Sequence, residues 1–278
     1  MAARSSALSG PALPFRAILW LFAVITVVPF GLLLLTSIKS KPDLLKGAFV
    51  LPAYPHFENY VNAWTDGRFS TYFTNSVLIV VPVVGVSIIL GLITGFAFAY
   101  LSFPFKKSIF VIFTIGMMVP TEAFIIPLYY EMLYLNLINT YWVLILTQIA
   151  LSVPFATIFM ASAMRQLPAE VLEAAVLDGA TRPQVLIRVI MPLLAPAVST
   201  LALFLFIWTW NEFLLPLILV NDDALRTLPI GMLFFQGKYT VNTPVLTAGA
   251  VIVIAPIVVV YLIFQRKFIE GLTSGATK

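Results

Sequence analysis

The sequence predicts an all-α, polytopic membrane protein with six transmembrane helices and one docking segment in the cytoplasm. Three observations carry this. Of the 278 residues, 61% are hydrophobic and only 10% charged, whereas a soluble domain dresses its surface with about a quarter charged residues. Six apolar runs reach the roughly twenty residues that cross a bilayer: 17–38, 72–101, 108–133, 140–164, 193–220 and 243–264. One long connection, residues 167–196, turns amphipathic and charged between two of these runs.

Taken in order, residues 1–16 are small and polar and read as a loose tail. The first run follows Arg4 and Arg16 in the manner of a signal peptide. It is too long for one, however, and ends in Thr36-Ser37-Ile38-Lys39 without a small-residue cleavage site, so it reads as a retained anchor. Residues 39–71 form an external loop whose Pro42, Pro52, Pro55 and aromatics suggest packed, extended chain. Phe103-Pro104-Phe105-Lys106-Lys107 makes a tight inner turn, 165–192 is the charged inner loop, and 221–242 is an outer connection carrying Asp222 and Asp223. The membrane domain closes at about 266, and 267–278 is a second tail. With the N-terminus inside, ten of the sixteen Lys and Arg face the cytoplasm, including Lys106-Lys107 and Arg266-Lys267 at span ends, where the positive-inside bias acts. Both termini are then cytoplasmic.

Composition also excludes chemistry. There is no cysteine, which removes disulfides and thiolate metal sites, and the single histidine, His56, lies in the polar outer loop. No metal site is expected. The net charge of +4 comes from scattered basic residues that follow no nucleic-acid pattern. Paired intramembrane Asp or a Ser–His arrangement, which an intramembrane protease needs, does not occur, and no G-x-x-x-x-G-K-[ST] nucleotide loop is present. The chain is therefore not expected to be an enzyme, and it needs no cofactor of its own.

The 167–196 segment reads LPAEVLEAAVLDGATRPQVLIRVIMPLLAP. Pro168 suits a helix start, and Glu170 and Glu173 favour the positive end of its dipole. Leu172, Ala175, Val176 and Gly179 recur at helical spacing as a small apolar face. Gly179 offers a left-handed stop, and Thr181 with Pro183 starts a second helix. Two short helices about a glycine turn make a docking piece.

Within the spans, ionisable residues are functional candidates by default. Glu122 follows Pro120, and two readings stand for it: a buried structural partner or a pathway residue. Glu131 reads as an interfacial carboxylate reaching water. Trp210-Asn211-Glu212 combines aromatic surface with hydrogen-bonding groups, as a grip on a polyhydroxylated ligand would; interhelical hydrogen bonding is an equal reading for Asn211 and Glu212. Prolines 29, 82, 120, 127, 154, 196, 216 and 256 fall in or beside spans. Each reads singly as a kink, and together they favour a mobile, cavity-lining bundle.

Glu173-Ala174-Ala175-x-x-x-Gly179, followed after nine residues by Val189-Ile190-Met191-Pro192, resembles the EAA loop of ABC-importer permeases, with Val and Met in the motif's Ile and Leu positions. Asp178-Gly179-Ala180-Thr181, Asn59-Tyr60, Asn75-Ser76, Pro120, Ile126-Pro127-Leu128-Tyr129, Trp210-Asn211 and Gln265-Arg266 with Gly271-Leu272-Thr273-Ser274-Gly275-Ala276 are similar to the carbohydrate-uptake branch, in particular the six-span maltose-type permease. The resemblance implies a type I ABC importer fold in a bacterial inner membrane. It also implies a second permease subunit, two ATPase subunits that bind ATP and Mg, and an extracytoplasmic sugar-binding protein. Glu173, Ala174, Ala175, Asp178, Gly179 and Ala180 would form the coupling helix in an ATPase cleft. Glu122, Trp210, Asn211 and Glu212 are the substrate-pathway candidates. Gly271, Ser274 and Gly275 are either tail contacts to the ATPases or part of a loose tail. The implied function is uptake of a sugar or oligosaccharide. Uptake of a polyol or glycerophosphodiester by the same machine is the alternative, and proton-coupled secondary transport through Glu122 and Glu212 is a different class.

Overall fold

The computed structural model describes residues 13–235 and 242–273, and every regular element among them is helical. The chain divides into two compact units, Met1–Gly67 with Gln236–Ile252, and Arg68–Phe235 with Val253–Lys278.

The first unit opens with α1 (Leu13–Ser37), which is apolar on every side and contributes no buried residue over its most hydrophobic stretch. The loop after it is more ordered than expected, holding two short helices, α2 (Lys41–Leu45) and α3 (Glu58–Thr65). Ser40 caps α2: its Oγ donates to Asp43 Oδ2 at 2.6 Å and accepts from the Asp43 N–H at 3.3 Å. The Lys46 ammonium 2.7 Å from Asp43, with the Ser40 hydroxyl, holds that carboxyl down from the usual 3.8 to about 2. Lys39 is fully buried, and its Nζ donates to the carbonyls of Gly47 and Ala48 at 2.9 and 2.8 Å. Asn59 donates to the Ser37 and Lys39 carbonyls at 2.9 Å, and the His56 N–H donates to the Ile38 carbonyl at 2.8 Å. The loop thus folds back onto the end of α1, since buried backbone acceptors need donors.

The second unit is built on α4 (Phe69–Tyr100), α5 (Lys106–Met118), α6 (Thr121–Tyr134) and α7 (Tyr141–Met164). Helices α4 and α7 run parallel: Tyr141 meets Asn75, Ala156 meets Gly91, and the Met164 carbonyl accepts from the Tyr100 hydroxyl at 2.5 Å. A Cβ at Gly91 would lie 2.7 Å from Ala156 Cβ, and one at Gly95 would lie 2.8 Å from Met160 Cβ. Gly91-x-x-x-Gly95 is therefore a close-approach seam, the means by which membrane helices gain packing without a hydrophobic drive between them. Thr94 and Thr157 hydroxyls join across it at 2.6 Å.

After α7 come α8 (Ala169–Leu177), α9 (Arg182–Gln184), a π-helical turn (Val185–Ile190) and α10 (Met191–Leu193). The remaining helices among the described residues are α11 (Ala195–Asn211), α12 (Leu214–Leu219), α13 (Leu228–Phe235) and α14 (Thr243–Thr273), with a 3₁₀ turn at Asp223–Leu225. Among the described residues, four helices are individually long and apolar enough to cross a membrane, and six spans result when two bent pairs are each counted as one. The expected third span is broken: α5 and α6 meet at 101°. Pro120 has no N–H to give, clashes with the carbonyl four residues back and forces Val119 into extended backbone, φ −78°, ψ 121°. The expected fifth span starts from the elbow, with an 81° bend between Arg182–Leu193 and α11. It also ends early, because Pro216 cannot bond the carbonyl of Glu212, where the chain turns extended. Pro82, Pro127, Pro154 and Pro256 lie inside helices that continue. The last helix runs past the expected end of its span at 264, into the segment read as a tail.

Asn75 and Ser76 have a structural role. Asn75 Nδ2 donates to the carbonyls of Ala224 and Arg226 at 2.8 and 2.9 Å, and Ser76 Oγ accepts from the Leu228 N–H at 2.9 Å. They latch the connection after α12 onto α4.

Candidate functional site

The elbow between α7 and α11 is assembled from its own sequence. Pro168, extended at ψ 136°, starts α8. The helix stops as a Schellman turn: the Ala180 N–H donates to the Ala175 carbonyl and the Gly179 N–H to the Val176 carbonyl, both at 3.0 Å. That turn needs a left-handed residue, and Gly179 stands at φ +79°. The Thr181 N–H then donates to Gln184 Oε1 at 2.8 Å, closing the start of α9. The π-helical turn that follows places both Val185 and Ile190 inward. Such turns are short insertions in α-helices and often mark functional positions.

Ala175, Val185, Ile190 and Leu194 are buried in one cluster with Leu92 and Phe96 of α4, Met160 and Met164 of α7, and Leu201 and Leu205 of α11. The inner surface of the elbow is therefore packed into three membrane helices. Its outer surface is bare: Glu173, Ala174, Val176, Leu177, Asp178 and Gly179 are exposed, Leu177 by 87%. Ala174, Asp178 and Gly179 border an open hollow of roughly 520 Å³, closed on its other side by Gln184, Arg188 and Val189. The residues read as a docking piece thus divide between two surfaces. Ala175 and Ala180 anchor it, and Glu173, Ala174, Asp178 and Gly179 are presented outward. Leu172, Ala175, Val176 and Gly179, read as one small apolar face, are split: Ala175 is buried and Leu172 half-buried, whereas Val176 and Gly179 are exposed. Gly179 has nothing within 4 Å of where a Cβ would stand, so its requirement inside this chain is conformational and not a close approach.

The pathway candidates are not brought together as one cluster. Glu122 is exposed on the first turn of α6, just after the break. Glu212 is half-buried and serves the backbone, its Oε1 accepting the Leu215 N–H of α12 at 3.1 Å. Asn211 is exposed and donates back to the Ile207 carbonyl at 2.8 Å. Trp210 is the clear correction. Its ring is only 2% exposed, stacked on Phe206 and edge-on to Phe73, with Nε1 donating to the Val253 carbonyl at 3.0 Å. The exposed aromatic is Trp208, about half accessible, stacked on Phe204 and edge-on to Phe155 at 4.7 Å. Trp208 and Asn211, three residues apart, share one face of α11. Gly271 lies in the last turn of α14, whereas Ser274 and Gly275 lie outside the described residues. No group of three or more His, Cys, Asp or Glu suited to a metal occurs among the described residues.

Sequence reasoning missed the Gly91–Gly95 seam and the Phe155–Phe204–Trp208 stack. The first had a readable signal in its glycine spacing; the second had none, because α11 is apolar on all sides.

Residues 87–273 match the family described as "Binding-protein-dependent transport system inner membrane component". The chain is 35% identical over 262 residues to the diacetylchitobiose uptake system permease protein NgcG of Streptomyces coelicolor, covering 94% of this chain and 87% of that one. It is 34% identical to the arabinooligosaccharides transport system permease protein AraQ of Halalkalibacterium halodurans, with 92% of each covered. It is 33% identical to the trehalose transport system permease protein SugB of Mycobacterium tuberculosis, covering 95% and 98%. Among solved structures, a bacterial ABC transporter involved in the import of the acidic polysaccharide alginate superposes with a TM-score of 0.80 at 24% identity, covering 96% of this chain and 99% of that one.

Proposed function

Since the chain belongs to the family of inner membrane components of binding-protein-dependent transport systems, we propose that it forms half of the translocation pathway for a sugar or oligosaccharide. In this reading a solute-binding protein delivers the cargo from outside, and a second permease subunit completes the pathway. Two ATPase subunits, which bind the ATP and Mg, seat against the elbow. Both termini and the elbow lie in the cytoplasm.

The observation that carries the proposal is the two-sided elbow. One surface is packed into α4, α7 and α11, and the other presents Glu173, Ala174, Val176, Leu177 and Asp178 to a partner. A partner that grips the outer surface differently in two nucleotide states shifts the membrane helices between two arrangements, which is the energetic requirement for alternating access. Glu173 pairs with a basic residue or with helix N–H groups of the ATPase. Gly271, Ser274 and Gly275 are proposed as its second contact. Carbohydrate is favoured as cargo because relatives matched over nearly their whole length are named for carbohydrate uptake. Trp208 with Asn211, in place of Trp210, is the proposed pathway face of α11, and Glu122 a further lining residue.

The test is uptake of radiolabelled oligosaccharide by vesicles containing this chain, its companion permease, the ATPases and the binding protein. Uptake is expected only with internal ATP. Accumulation that persists without the ATPases and collapses with a protonophore overturns the importer. ATP-driven uptake of a polyol or glycerophosphodiester but of no sugar overturns the cargo alone. Glu173→Ala is expected to weaken ATPase co-purification, and unchanged co-purification together with unchanged ATPase stimulation refutes its role.

A further inference from the structure

The loop that folds back onto α1 exposes a run of large apolar side chains that the transport reading leaves unused. Leu45, Phe49, Leu51, Tyr54 and Phe57 are each between 64% and 92% exposed. They lie on or beside residues 47–57, GAFVLPAYPHF, eleven residues without a carboxylate, amine or guanidinium. The imidazole there, His56, is engaged by Glu58. A soluble loop does not keep such a surface in water.

Its height relative to a membrane follows from α1. The apolar stretch Arg16–Ser37 has 22 residues. At 1.5 Å per residue it rises about 33 Å, close to the ~30 Å of a hydrocarbon core. Ser37 therefore ends at the membrane surface. The loop is held at that level by direct bonds to the last turn of α1 and the two residues after it. The Ser37 hydroxyl meets Tyr60 at 2.7 Å, the Ser37 and Lys39 carbonyls accept from Asn59, the Ile38 carbonyl accepts from the His56 N–H, and the buried Lys39 ammonium clamps Gly47 and Ala48. The loop is too closely tied to reach away into solution.

We propose that residues 45–57 are an interfacial anchor whose apolar side chains lie in the lipid surface where α1 leaves the membrane. The exposed patch is continuous along the chain with a membrane-spanning helix, and its aromatic character matches the belt that settles at headgroup level. Lys41, exposed, precedes it at the level where lipid phosphates lie. Residues 47–57 themselves offer no charged group to pair with a protein partner. The irregular backbone stays in the hydrated headgroup layer, since non-helical chain facing lipid does not persist in the hydrocarbon itself.

The absence of native cysteine makes the test direct. Phe49→Cys, Leu51→Cys and Tyr54→Cys, with Asp66→Cys as an exposed polar control, are spin-labelled singly in the full chain. Each is assembled with cysteine-free partner subunits in nanodiscs of phosphatidylethanolamine and phosphatidylglycerol. Relaxation by oxygen is expected to exceed relaxation by a water-soluble nickel chelate at 49, 51 and 54, and the order is expected to reverse at 66. Nickel dominating at the loop positions places them in water and overturns the proposal. Protection from both probes places them under another subunit and overturns it too. Neither result bears on what the transporter carries.

Discussion

Replacing Gly179 separates the two demands that the elbow makes on one residue. Its backbone stands at φ +79°, where a residue with a Cβ loses about 1–2 kcal/mol and asparagine loses less. No heavy atom lies within 4 Å of an added Cβ, so within this chain alanine and leucine carry the same conformational cost. A loss of 1–2 kcal/mol changes the ratio of closed to open turn by roughly 5- to 30-fold, too little to unfold three packed membrane helices. Gly179→Ala is therefore expected to insert and assemble normally while ATP-driven uptake and transport-stimulated ATPase activity fall by up to that factor. Gly179→Asn should recover part of the loss, and Gly179→Leu should fall below Gly179→Ala, because only a docked partner can sense the difference in size. The assay is uptake and ATP hydrolysis in proteoliposomes matched for transporter content. Equal losses for Ala and Leu refute the partner's close approach. Asn behaving no better than Ala refutes the conformational account, and wild-type coupling in all three refutes docking at this turn.

Gly91→Ala sets a helix-propensity gain of about 1 kcal/mol against overpacking of about 1–3 kcal/mol. The new Cβ would meet the Ala156 backbone as well as its side chain, which no rotamer change relieves, so net destabilisation is expected in thermal melts; an unchanged or raised midpoint refutes the seam. Trp210→Ala should lower stability, near the ~3 kcal/mol lower end for a buried Trp, because lipid offers the ring an alternative apolar solvent. Trp208→Ala should spare the melt and impair uptake, and the reverse pattern refutes the assignment of the two faces. Asp43 has a depressed pKa, so its contribution is complete above about 4 and lost as pH falls toward about 2. A label at Leu51→Cys should gain mobility across that window, and constant mobility from pH 4 to pH 2 refutes the cap.

How much of this was legible in the sequence depended on whether local residues decide the outcome. The elbow was readable because Pro168, Gly179 and Thr181 act on their own backbone. The breaks were not, although every proline was in view: Pro120 and Pro216 interrupt their helices, while Pro82, Pro154 and Pro256 do not. The difference lies in which neighbours satisfy the freed carbonyl, which is tertiary information. Trp208 and Trp210 could not be told apart for a related reason. They lie about 200° apart around a helix with 3.6 residues per turn, and α11 has no polar stripe to fix which of them turns inward. The folded-back outer loop rests on Lys39, whose burial runs against the usual behaviour of lysine.

The Gly91–Gly95 seam has a mechanical consequence. With backbones in near contact and hydroxyls joined across the gap, α4 and α7 form a plank that resists both sliding and splaying. The compliance of the second unit must then lie elsewhere, at the bends where Val119, Leu194 and Glu212 leave helical geometry. A push on the elbow enters the plank along one edge and reaches α11 both along the backbone at Leu194 and through the packed cluster with Leu201 and Leu205. The shaft between those joints transmits the displacement without absorbing it.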